Sequence, residues 1–185
     1  MPLLILDRDG VINYDSDDYI RSLADWKPIP GSIEAIVKAS KAGYQVAIAT
    51  NQSGLSRGYF TLDTLEDIHQ HLCQLVEEQG GSIAGIFYCP HLPNEGCACR
   101  KPGTALLQAM ESELGESAAN AWFVGDSLKD LQAARGYGCQ PALVTTGKGL
   151  KTQAQLDKPD VELASPTSVP VYPDLASAVD AILSA

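Results

Sequence analysis

A chain of 185 residues, 45% of them hydrophobic, has enough apolar material for one compact domain with a core and too little for two large ones. Its 13 Lys and Arg stand against 23 Asp and Glu, a formal net charge of -10, and this argues against a nucleic-acid partner, which needs cations to replace phosphate counterions. No apolar run approaches the ~20 residues of a membrane span, and Met1–Leu6 is too short for a signal peptide, so the expectation is a cytoplasmic protein with no membrane partner.

The expected elements alternate along the chain. Leu3 to Leu6 is an apolar run ending at Asp7, as expected of a strand buried on both faces. A loop with Asp15, Asp17 and Asp18 leads to a helix whose Ile33, Ile36 and Val37 follow helical spacing, with Ser32 as cap and Gly43 as stop. Tyr44 to Ala49 reads as a second strand running into Thr50-Asn51-Gln52. A longer helix follows, with Leu65, Ile68, Leu72, Leu75 and Val76 on one face, Thr61 as cap and Gly80-Gly81 as stop. Ile83 to Tyr88 is a third strand, Thr104 to Leu114 a helix, Trp122 to Val124 a strand, Leu128 to Arg135 a helix and Ala142 to Val144 a strand. The last thirty-five residues are less regular and close on an amphipathic helix from Leu175 to Leu183. This order predicts an α/β domain spanning residues 1–185, a doubly wound parallel sheet covered on both faces. No exposed apolar heptad is visible, so a monomer is the default.

Ligands of an open parallel sheet bind beyond the carboxyl ends of its strands. The polar residues at those ends are Asp7 and Asp9, Thr50 and Asn51, and Gly125-Asp126, with Arg100-Lys101 after the loop that follows the third strand. Each alone has a bland reading as turn, cap or solvated charge. All four in this order, each at a strand end, point to function.

The five cysteines carry a second signal. Cys89-x-His91-x5-Cys97-x-Cys99 offers three thiolates and an imidazole, a full tetrahedral set for Zn²⁺, within a Pro- and Gly-containing loop. With every position filled by protein, such a site is structural, and it would pin the loop so that Arg100 projects into the site. Cys73 and Cys139 stand alone and read as small buried residues.

The set Asp7-Arg8-Asp9-Gly10, Thr50-Asn51, Lys101-Pro102 and Gly125-Asp126-Ser127-x-x-Asp130 resembles the haloacid dehalogenase superfamily of phosphotransferases. The resemblance implies a Rossmann-like fold and a Mg²⁺-dependent phosphatase that works through an aspartyl-phosphate. It implies that Asp7 is the nucleophile and binds Mg²⁺ with Asp126 and the backbone carbonyl of Asp9. The Asp9 side chain would serve as acid and then base, Thr50 and Lys101 would hold the phosphoryl oxygens, and Asp130 would orient Lys101 or a metal-bound water.

The longer runs Asp7 to Asn13, Thr50 to Phe60 and Cys89 to Pro102 resemble the capless heptose bisphosphate phosphatases of that superfamily. That resemblance implies a phosphosugar substrate, D-glycero-D-manno-heptose 1,7-bisphosphate, losing its 7-phosphate on the way to lipopolysaccharide precursors. It implies substrate contacts from Asp15, Ser16, Asp17, Asp18, Asn51, Gln52, Ser53 and Arg100, the last suited to the distal phosphate by its guanidinium fork. Five residues separate the two ligand pairs of the cysteine loop, fewer than in some relatives, which leaves the anomer at carbon 1 open. Histidinol-phosphate phosphatases share the cysteine loop and the Asp-Arg-Asp-Gly start, but the Asn51 to Gly58 segment favours the heptose reading. A zinc-stabilised binding module without activity is disfavoured by the intact Asp7, Asp9, Thr50, Lys101 and Asp126. Transfer to an acceptor other than water would need a lid, and the sequence offers none.

Overall fold

The computed structural model describes residues 1–158 and 168–185. Six strands, β1 (Leu3–Leu6), β2 (Gln45–Asn51), β3 (Gly85–Cys89), β4 (Trp122–Gly125), β5 (Gln140–Val144) and β6 (Val171–Tyr172), form one parallel sheet in the order β3-β2-β1-β4-β5-β6. The strands reverse their order of addition between β1 and β4, the switch point at which open α/β sheets hold their ligands.

Side chains alternate across this sheet with a period of two. Leu4 and Leu6 of β1, with Val46 and Ile48 of β2, face the core under the helices α1 (Ser32–Lys41), α2 (Leu62–Glu77) and α6 (Leu175–Ser184). Leu3 and Ile5, with Ala47 and Ala49, face a second core under α3 (Ala105–Leu114) and α4 (Leu128–Tyr137). A strand buried on both faces reads as an unbroken apolar run, which is why Leu3–Leu6 carries no polar residue. The expected doubly wound sheet is the observed one, and neither segment 7–31 nor segment 52–61 builds a separate cap domain.

Several expectations need correction. Ser32 does not cap α1. Gly31 takes that position at φ 86°, and Ser32 turns its hydroxyl to donate to the Val11 carbonyl at 2.9 Å. Ser32 is already the first helical residue, so its hydroxyl ties the helix start to the loop instead of capping it. Thr61 does cap α2, accepting from Thr64 N at 3.2 Å. Strand β2 runs on through Thr50 and Asn51, because β3 pairs with it as far as Cys89. Cys73 is half-buried rather than buried, whereas Cys139 lies in the core. Helix α5 (Gly149–Leu156) and the short β6 lie outside the expected elements, since the sequence from Thr145 to Tyr172 has too few apolar residues to show a period.

Candidate active site

The site lies over the ends of β1, β2 and β4, in a cavity of about 600 Å³. Asp7 follows β1 directly and its N–H continues the ladder to the Val124 carbonyl of β4 at 3.0 Å, so the backbone of the sheet sets its place. Its carboxylate Oδ1 accepts from Arg8 N at 2.8 Å and from Lys101 Nζ at 2.9 Å. The Lys101 ammonium also donates to Asp130 Oδ1 at 2.6 Å and to the Ala49 carbonyl at 2.8 Å. All three donor positions of this buried ammonium are filled. Burial works against the charge on Lys101, but Asp130 and Asp7 outweigh it and raise its pKa.

Asp130 holds this arrangement from below. Its Oδ2 accepts from the backbone N–H groups of Asp126 and Ser127, each at 3.2 Å, and from the Ser127 hydroxyl at 3.0 Å, closing a capping box at the start of α4. Both of its oxygens are therefore occupied, and of the two roles implied for it the geometry matches the orientation of Lys101.

Asp126 is fixed by a segment that sequence reasoning passed over. Lys148 N donates to its Oδ2 at 2.8 Å, and the Thr152 hydroxyl donates to its carbonyl at 2.7 Å. Gly10 and Gly147 pack directly against this carboxylate at φ 85° and 56°, where an added Cβ would collide with Asp126 Oδ2. Gly147-Lys148 follows β5, so the strand-end rule applied once more would have found it.

Asp9 is held differently. Arg8 is fully buried, and its Nε and Nη2 lie 2.9 Å from Asp9 Oδ1, which also accepts from Asn13 Nδ2 at 2.9 Å. Gln52 Nε2 donates to Asp9 Oδ2 at 3.1 Å and to the Thr50 hydroxyl at 3.0 Å. Burial alone would raise the Asp9 carboxyl, but the Arg8 charge and these hydrogen bonds hold it below the ordinary carboxylate range. Behind Arg8, Nη1 meets His69 Nε2 at 3.1 Å, and burial together with the guanidinium charge pushes His69 down to about 3, so the ring is a neutral acceptor. Nothing in the run Asp7-Arg8-Asp9 tells that the Arg8 side chain turns back to hold Asp9; only the structure shows it.

The implied substrate residues divide. Asp15, Ser16, Asp17, Asn51, Gln52, Ser53 and Arg100 line the cavity, while Asp18 does not belong to its lining. Asp15 Oδ2 lies 3.5 Å from Lys148 Nζ. Asn51 clamps the neighbouring segment, donating to the Lys101 carbonyl at 3.2 Å and accepting from Lys101 N at 3.0 Å. Lys129, Lys148 and Lys151 also line the cavity and supply cations in an otherwise acidic chain.

Among the described residues, two groups of side chains could hold a metal. In the first, oxygens of Asp7, Asp126 and Asp130 lie within 4.8 Å of one another. Burial and the Asp130 charge push Asp7 well above its ordinary value and Asp126 up to about 7. Two buried carboxylates held side by side with raised pKa values form a site that a divalent cation relieves. In the second group, the donor atoms of Cys89, His91, Cys97 and Cys99 also lie within 4.8 Å of one another. Cys89 Sγ is 3.4 Å from His91 Nδ1, 3.6 Å from Cys97 Sγ and 2.9 Å from Cys99 Sγ. These spacings are within an ångström of the edge, about 3.8 Å, of a tetrahedron of thiolates around zinc. Burial pushes the Cys89 thiol up to about 12, so a bound cation would have to draw off its proton.

An aspartate directly after the first strand, a lysine clamped between two carboxylates and an aspartate pair at the switch point define a hydrolase of the haloacid dehalogenase type. The family model described as HAD-hydrolase-like matches residues 98–178. The chain is 53% identical over 98% of its length to the D-glycero-beta-D-manno-heptose-1,7-bisphosphate 7-phosphatase of Pseudomonas aeruginosa, covering 97% of that protein. It is 48% identical to the enzyme of the same name from Neisseria meningitidis serogroup B, over 84% of this chain and 83% of that one. The crystal structure of D,D-heptose 1,7-bisphosphate phosphatase from B. bronchiseptica, complexed with magnesium and phosphate, matches with a TM-score of 0.91 and 43% identity, over 100% of this chain and 99% of that one. The chain belongs to this family of heptose bisphosphate phosphatases within the haloacid dehalogenase-like hydrolases.

Proposed function

We propose that the protein removes the 7-phosphate of D-glycero-beta-D-manno-heptose 1,7-bisphosphate, as a cytoplasmic monomer feeding the synthesis of heptose-containing surface glycans. The observation that carries this reading is the Asp7 carboxylate beside Lys101 at the floor of a cavity rich in cations, with Asp9 on the same cavity wall. The names of the relatives favour the β anomer and the heptose substrate over histidinol phosphate.

An oxygen of Asp7 forms a bond to phosphorus as the bond from phosphorus to the sugar oxygen breaks, and the electron pair leaves with that oxygen. Asp9 gives it a proton, then takes one from the water that attacks the phosphoryl-aspartate and releases inorganic phosphate. Arg8, Asn13 and Gln52 favour the ionised Asp9 in the free protein. The negative charge of an arriving phosphate raises it toward the protonated form that the first step needs. Lys101 turns the N–H that it donates to Asp7 onto the phosphoryl oxygens, and the Thr50 hydroxyl, which accepts from Gln52, donates to them as charge moves onto them. Asp7, Asp126 and the Asp9 carbonyl would hold Mg²⁺, which supplies neutralisation of phosphoryl charge so that two anions can meet. The Cys89, His91, Cys97 and Cys99 set would hold a structural Zn²⁺ and fix the backbone leading to Arg100 and Lys101.

The test is phosphate release with Mg²⁺ from both anomers of the heptose bisphosphate and from histidinol phosphate, compared by kcat/KM. A preference for the β bisphosphate supports the reading. Preference for histidinol phosphate would keep the mechanism and overturn the substrate.

A further inference from the structure

One buried polar contact stands behind the reaction centre without a part in the reaction. His69 sits on the buried face of α2 beside Leu65, Ile68 and Leu72, which fix that helix in the core. Its Nε2 lies 3.1 Å from Arg8 Nη1. A guanidinium has five N–H donors and no acceptor, so Nε2 accepts, and the neutral ring carries its proton on Nδ1. The low pKa of His69, about 3, agrees with that state.

Arg8 is a costly residue for this place. It is fully buried, and a buried guanidinium is destabilising unless its donors are met. Its one ion-pair partner among the described residues is Asp9. Nε donates to Asp9 Oδ1 at 2.9 Å and Nη2 lies 2.9 Å from the same oxygen, while Nη1 turns away to His69. Asn13 Nδ2 also donates to Oδ1, at 2.9 Å. These donors fill the lone pairs of Oδ1, so a proton on this carboxyl resides on Oδ2, which takes only Gln52 Nε2 at 3.1 Å. Asp9 lines the cavity, and Arg8 thereby decides which of its oxygens carries the proton there. Besides Asp9, His69 is the only side chain among the described residues to which the Arg8 guanidinium is hydrogen-bonded.

We propose that His69 is a positioning residue, which fixes the Arg8 guanidinium so that Asp9 presents Oδ2 to the leaving group of the phosphate ester. The assignment rests on the phosphatase reading and deepens it. The bond from phosphorus to the ester oxygen breaks with its electron pair, and Oδ2 gives that oxygen its proton while Asp7 bonds to phosphorus. Without an acceptor at position 69, Nη1 is unpaired in the core and the guanidinium swings to find a partner. Oδ1 then loses its brace, and the acid is no longer aimed. An alkoxide leaves poorly and needs that proton, whereas a nitrophenolate leaves as a stable anion and does not.

The experiment compares kcat/KM for the heptose 1,7-bisphosphate and for p-nitrophenyl phosphate in the wild type, His69→Leu and His69→Gln. This ratio counts only steps up to departure of the leaving group, so the later attack of water, which Asp9 also serves, does not enter. His69→Leu lowers the bisphosphate value about 10- to 100-fold, through kcat with KM near that of the wild type, and the p-nitrophenyl phosphate value by less than about threefold. His69→Gln, whose side-chain oxygen reaches the place of Nε2, restores most of the loss. Should His69→Leu fail to fold, His69→Asn, one methylene shorter than the glutamine, serves as the variant without the contact. Equal losses on the two substrates overturn the inference, because they indicate a general or structural effect. So does a folded His69→Leu or His69→Asn that keeps the wild-type efficiency on the bisphosphate. A wild type that does not hydrolyse the bisphosphate overturns the reading on which the inference rests, and the inference with it.

Discussion

The two clusters of metal-competent side chains among the described residues are built in opposite ways. Asp7, Lys101 and the pair Asp126 and Asp130 come from three separate segments, are all buried, and meet only because the ends of β1, β2 and β4 lie side by side. Cys89, His91, Cys97 and Cys99 come from a single loop, three of them half-buried, and at their centre the donors meet one another. In the first cluster the lysine is saturated by protein and the carboxylates are braced by backbone N–H groups and a hydroxyl. In the second, thiols stand against thiols. The fold therefore organises the strand-end cluster by itself, whereas the loop presents four donors that a cation, if bound, would hold together.

The sharpest way to break this contrast is at Asp7, the proposed nucleophile. Asp7→Asn should lower kcat by at least about 10⁴-fold while the thermal midpoint stays close to wild type, because Lys101 keeps Asp130 as its partner. Near-normal turnover would remove Asp7 from the chemistry. Next in size is Lys101→Met, which strands two buried carboxylates. It should cost about 3–5 kcal/mol in urea unfolding as well as abolishing activity, and unchanged stability would mean that the cluster is not organised by this ion pair.

Metal removal separates the two regions directly. A chelator selective for thiophilic metals should lower the thermal midpoint by about 5 °C, or ~2 kcal/mol, and raise hydrogen exchange over residues 89–99. Removal of Mg²⁺ should stop turnover with a smaller thermal effect. Equal thermal effects from the two treatments would contradict the contrast. The smallest effect sharpens the account of Arg8. Folded His69 stays neutral down to about 3, while in the unfolded chain it takes a proton near 6.5. The unfolded state therefore binds the extra proton between these values, and stability is full above about 6.5 and falls as pH drops, by up to about 1.4 kcal/mol per pH unit. His69→Gln should flatten that slope between pH 6.5 and 5, and an unchanged slope would show that His69 does not carry it.

Much of the site is legible in the chain because strand ends announce themselves. An apolar run that stops at Asp7, at Thr50-Asn51 or at Gly125-Asp126 marks both the strand and the edge where ligands bind. The cysteine loop is equally readable, since its ligands are neighbours in sequence. Arg8 and His69 were not legible, being 61 residues apart and joined only across the packed face of α2. Nor was the support of Asp126 by Lys148 and Thr152, at separations of 22 and 26 residues, because α5 shows no hydrophobic period by which to place it.

By itself, then, the sequence determined the parallel sheet, its buried central strands, the carboxylates at their ends and the ligand set of the loop. Each of these follows from local pattern, from periodicity and turn chemistry that neighbouring residues enforce. Only the tertiary structure decided which charges satisfy one another. Asp130 serves Lys101, Arg8 holds Asp9 with its back to a neutral histidine, and the Lys148 N–H steadies Asp126. Those pairings depend on distance in space and on loss of water around buried charge, and neither is written in the spacing of residues along a chain.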